Sequence, residues 1–138
     1  MSTERVQGAA EAMRHALDEL TEALAFLDGL KKGAAGRERD IARDAIIKRF
    51  EVAFEYAWKL MKAAAEYQGT EAAGPRPAIQ EAVRYGWIDD PEFWADALEA
   101  RNGSVHDYFG MTKVRYLAII REFARKADGL VVKVKASA

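Results

Sequence analysis

Val6, Ala10, Met13, Leu17, Leu20, Leu24 and Leu27 follow one another at alternating spacings of four and three. At about 100 degrees per residue these positions line up as one apolar stripe, so the segment is an amphipathic helix that must bury one side against another element. The pattern recurs in Ile46, Phe50, Ala53, Phe54, Ala57, Met61 and Ala64, with Glu51, Glu55 and Lys59 stepping along the polar side in the supportive order, Glu before Lys. It recurs again in Tyr116, Ile120, Phe123, Ala127 and Leu130. A chain built on this repeat is all-α, and short connections between such helices predict an antiparallel up-and-down bundle of four to five helices.

The breaks between stripes set the boundaries. Gly33 and Gly36 end the first helix, and the second is expected from near Arg37 to Tyr67. Pro75 and Pro77 mark a loop, followed by a short helix from about Pro77 to Tyr85 that stops at Gly86. Asp90-Pro91-Glu92 has the composition of a helix start: Asp90 as N-cap, Pro91 at the first helical position and Glu92 near the positive end of the dipole. Phe93, Trp94, Ala97 and Leu98 give that fourth helix its apolar side, and Gly110 separates it from the fifth. Phe54 with Trp58, and Trp87 with Trp94, are expected in the core or an interface. Val131-Val132-Lys133-Val134 has strand character but no second strand to pair with, so residues 131–138 are expected to form a frayed end.

A length of 138 residues with half of them hydrophobic fits one domain, 1–138. Cysteine is absent, which excludes disulfides and thiolate metal sites. Met-Ser-Thr-Glu-Arg leads into an amphipathic stretch, and no run approaches the ~18 apolar residues of a membrane span. A soluble, cytoplasmic protein with no membrane partner is expected.

The net charge of -1 argues against a globally basic nucleic-acid binder. The charges are nevertheless segregated. Residues 1–30 hold six acids against Arg5 and Arg14, and residues 87–100 hold five acids and no base. Residues 110–138 hold seven bases against Glu122 and Asp128. Two readings are open: pairing of unlike helix faces within the chain, or a basic wall that receives an anionic backbone.

The densest chemistry lies in Arg101-Asn102-Gly103-Ser104-Val105-His106-Asp107-Tyr108. Arginine presents a planar, permanently charged fork suited to phosphate oxygens, and histidine exchanges protons near neutrality. On a regular helix Asn102 and His106 share a face, whereas Arg101 and His106 stand about 140 degrees apart. Both meet one phosphate if the helix bends near Gly103 and Ser104, or if a second copy of the chain supplies the complementary residue across a two-fold axis. With RNA bound, His106 would take the 2'-hydroxyl proton and Arg101 would stabilise charge on the phosphoryl oxygens, giving a 2',3'-cyclic phosphate without a metal. Each residue also has a structural reading: Arg101 as counter-charge to the acidic run, His106 as a satisfied partly buried side chain, Asn102 as a cap, Tyr108 as packing. His15 is given no role, and with only Asp107 near His106 no metal site is expected.

Arg49 to Lys59, Gly74-Pro75-Arg76, Ala82 to Asp90, Trp94, and Arg101-Asn102 with His106-Asp107-Tyr108 together resemble the nucleotidyltransferase substrate-binding family of the HEPN superfamily, over roughly residues 10–130. The resemblance implies a homodimeric bundle that partners a minimal nucleotidyltransferase (MNT). In the toxin branch it implies a metal-independent ribonuclease acting on tRNA or mRNA through RxxxxHxY, here Arg101, His106 and Tyr108, with Asn102 as an accessory. It further implies that the MNT partner, which uses ATP and Mg, is an antitoxin that transfers AMP to Tyr108; the chain itself needs no cofactor. A phosphodiester on that phenol would place charge and bulk where the RNA phosphate must sit. The alternative that the resemblance leaves open is a non-catalytic nucleotide- or substrate-binding subunit of a two-component nucleotidyltransferase.

Overall fold

The computed structural model describes residues 3–30, 36–103 and 113–137. Five helices follow in order: α1 (Thr3–Asp28), α2 (Gly36–Tyr67), α3 (Pro75–Arg84), α4 (Pro91–Gly103) and α5 (Lys113–Ser137). There is no strand among the described residues. The 4-3 stripes are the buried sides. All seven stripe residues of α1 are buried, as are Ile46, Phe50, Phe54 and Met61 of α2 and Tyr116, Ile120, Phe123, Ala127 and Leu130 of α5.

The ion pairs report the directions of the helices. Arg5 at the start of α1 lies 3.6 Å from Glu66 at the end of α2, whereas Glu19 lies 3.6 Å from Arg49, so the two run antiparallel. Arg14 reaches Asp128 at 2.7 Å and Asp28 reaches Arg121 at 2.7 Å, so α5 is antiparallel to α1 as well. Helix α2 is central and packs against each of the other four. In the middle of the bundle Phe123 meets Phe50 edge-on at 5.3 Å between ring centroids, Trp94 edge-on at 5.7 Å and Phe54 at 5.8 Å. Edge-to-face contact sets the positive rim of one ring against the negative face of the next. Trp87 and Trp94 are both buried.

Helix α3 begins at Pro75, two residues before the expected start. A proline costs no hydrogen bond anywhere in the first turn, where the amides have no intrahelical partner, so both Pro75 and Pro77 are accommodated there. Ala78 N–H donates to the Gly74 carbonyl at 3.1 Å and closes that turn. The other end stops as expected: Gly86 takes φ +79°, a conformation that glycine adopts without a Cβ clash, and Trp87 N–H then returns to the Ala82 carbonyl at 2.9 Å. Asp90 caps α4, its Oδ1 accepting from Phe93 N–H at 3.1 Å.

The C-terminal expectation is corrected. Residues 131–137 continue α5, with Val131 and Val134 buried. Val134 falls four positions after Leu130, so the stripe runs on, and burial of the two valines outweighs their preference for extended backbone. The last turn is also tied down: Trp87 Nε1–H donates to Ser137 Oγ at 3.0 Å, and that hydroxyl donates to the Val134 carbonyl at 3.1 Å.

Candidate functional site

The final described turn of α4 carries Arg101 and Asn102, followed by the buried Gly103. Residues 104–112, and with them His106 and Tyr108, lie outside the described residues. Arg101 and Asn102 are brought together directly: Arg101 Nη1 donates to Asn102 Oδ1 at 3.1 Å. The other terminal nitrogen, Nη2, donates to Glu55 Oε1 on α2. Glu55 Oε2 is also 3.6 Å from Lys59 Nζ, one turn along the same helix. The carboxylate therefore sits between two cations, one from each side of the helix pair.

These residues form one wall of an open cleft of about 630 Å³ lined by Lys48, Glu51, Val52, Glu55, Tyr56, Lys59, Arg101 and Asn102. Three cations and two carboxylates face it, and Val52 and Tyr56, 39% and 38% exposed, give it an apolar floor. A second cleft of about 420 Å³ lies on the other flank of α2, between Ala16 and Glu19 of α1 and Arg49 of α2, and shares Lys48, Val52 and Tyr56 with the first. His15, given no role from sequence, lines this second cleft with Nε2 3.5 Å from Glu19 Oε1. Among the described residues no three His, Asp or Glu side chains come together to hold a metal ion.

Part of the charge segregation resolves into pairs within the chain. Arg121 binds Asp28, Lys126 lies 3.5 Å from Asp90, and Arg115 lies 3.9 Å from Asp96. Three bases of α5 thus answer an acid of α1, an acid of α4 and the Asp90 cap of α4. The cations beside Arg101 come instead from α2, as Lys48 and Lys59. Sequence reasoning did not assign Lys48, Glu55 or Lys59 to the site, although the polar face through Glu51, Glu55 and Lys59 was the available signal.

The protein-family comparison matches residues 9–136 to the family described as nucleotidyltransferase substrate binding protein like. The chain belongs to that family. Among solved structures, a crystal structure from Thermus thermophilus resembles this family member with a TM-score of 0.68 at 28% sequence identity, over 88% of this chain and 98% of that one. No curated protein matches it. No helix among the described residues of this nucleotidyltransferase substrate-binding-like protein is long and apolar enough to cross a membrane.

Proposed function

We propose that this chain is the ribonuclease toxin of an HEPN/MNT toxin-antitoxin pair, working as a cytoplasmic homodimer without a metal. The observation that carries this reading is that Arg101 and Asn102 share one open cleft with two further cations, Lys48 and Lys59. A guanidinium fork next to an amide and two ammonium groups has the composition that binds a phosphodiester. In the proposed reaction His106 removes the proton from the RNA 2'-hydroxyl, and the 2'-oxygen attacks phosphorus. The 5'-oxygen leaves and takes a proton from solvent, so the products are a 2',3'-cyclic phosphate and a 5'-hydroxyl. Arg101 stabilises the charge that develops on the phosphoryl oxygens. Val52 and Tyr56, apolar residues exposed within the cleft itself, support an interface with a second copy there.

The cognate minimal nucleotidyltransferase would silence the toxin by binding it and by moving AMP from ATP onto Tyr108. The adenylyl phosphorus forms its new bond to the phenolic oxygen, and pyrophosphate leaves.

A second reading is favoured by the engagement of Arg101 with Glu55, which offers the fork a carboxylate already. On that reading the cleft holds a nucleotide for the nucleotidyltransferase and cleaves nothing. The two separate when the chain is expressed without its partner beside Arg101→Ala and His106→Ala, and growth and cleavage of bulk RNA in EDTA are measured. Toxicity and cleavage by the parent alone support the toxin; intact RNA with the unmodified parent overturns it. Intact mass after co-expression with the nucleotidyltransferase tests the switch, the expected result being an AMP increment that Tyr108→Phe abolishes.

A further inference from the structure

Glu55 is unexplained by any role assigned so far. Its pair with Arg101 joins side chains that are 31% and 32% exposed, a setting in which an ion pair adds little to stability. Its position is particular, however. It occupies one terminal nitrogen of the guanidinium, while Asn102 occupies the other. Those two nitrogens are the ones a phosphate would engage in a bidentate contact. A phosphate that engages both terminal nitrogens end-on therefore competes with a carboxylate of like charge for the Nη2 donor that Glu55 holds.

Displacement would leave that carboxylate facing an incoming anion, were it not for Lys59. Its ammonium is 3.6 Å from Oε2 while Arg101 holds Oε1, and the Glu-to-Lys spacing of four with Glu first is the favourable arrangement on a helix. With Lys59 already beside Oε2, a Glu55 carboxylate that turns away from Arg101 has a second cation to pair with.

We propose that Glu55 is a stand-in for phosphate, a carboxylate that holds the Arg101 fork and passes to Lys59 when phosphate oxygens take its place. The inference rests on Arg101 being a phosphate-binding group, as in the proposed function, but not on cleavage following. It makes Glu55 a positioning residue that keeps the guanidinium aimed into the cleft and at the same time raises the threshold for binding. Anions with two adjacent oxygens win the exchange, and weak monodentate anions do not.

Pyrophosphate binding measured by titration calorimetry tests it, on the parent, Glu55→Gln, Lys59→Met, Arg101→Ala and the double variant Glu55→Gln/Arg101→Ala, each checked for helical content by circular dichroism. Removing a competitor worth a partly exposed ion pair should tighten pyrophosphate by about threefold in Glu55→Gln. Lys59→Met should weaken binding, because Glu55 then stays on the fork. The gain from Glu55→Gln should vanish in the Arg101→Ala background, which a simple loss of nearby negative charge would not do. Unchanged or weaker binding by Glu55→Gln, a gain that persists without Arg101, or no detectable binding by the parent each overturns the inference. RNA cleavage is scored separately. If RNA stays intact while the pyrophosphate results are as expected, the ribonuclease reading fails and the stand-in holds; Arg101-dependent cleavage without tightening gives the reverse.

Discussion

Arg121 on α5 grips Asp28, the last residue of α1, through both terminal guanidinium nitrogens, at 2.9 and 2.7 Å. The hydrogen bond from Arg121 holds the Asp28 carboxyl below its ordinary value of 3.8. Because the folded value is the lower one, the pair's contribution is complete well above 3.8 and is lost as pH falls through the folded value. Asp28→Asn should therefore cost about 0.5–1 kcal/mol at neutral pH, the range for a well-formed but exposed pair. Urea unfolding of parent and variant should converge as the pH is taken below that range.

The end of α5 gives a larger effect. A stop after Lys133 removes the fully buried Val134 and the Ser137 hydroxyl that accepts from Trp87. The expected loss is about 2–3 kcal/mol, mostly from the valine. Chemical denaturation of the shortened chain measures it, and a difference within a few tenths would mean that this turn contributes nothing.

For the proposed ribonuclease, Arg101→Lys separates charge from shape. Lysine keeps the cation and loses the planar fork, so it cannot give two parallel bonds to one phosphate. Cleavage by Arg101→Ala is expected to fall by about 10²–10³-fold, the usual loss for one donor to a developing anion, with lysine recovering only a small part. Initial rates on a short labelled RNA, with binding followed by anisotropy, distinguish a rate defect from an affinity defect. Full recovery by lysine would point to a diffuse electrostatic role.

Local signals made much of the fold legible. The 4-3 stripes of α1, α2 and α5 name their own buried sides, because a periodic apolar face has one way to be satisfied. Asp90 and Gly86 were readable for a similar reason: a cap and a left-handed turn depend on the residue itself and its nearest neighbours. The reach of α5 to Ser137 was not readable, since Val131 and Val134 are helical only by virtue of what covers them. The site divides along the same line. Arg101 and Asn102 are adjacent in the chain and were found together, while Glu55, 46 positions away, enters only when α2 and α4 pack. His106 and Tyr108 remain sequence assignments.

Lys48, Val52 and Tyr56 border the clefts on both flanks of α2. The two hollows thus share one rim. A substitution at Lys48, Val52 or Tyr56 therefore reshapes the hollow beside Arg101 and the one beside His15 together.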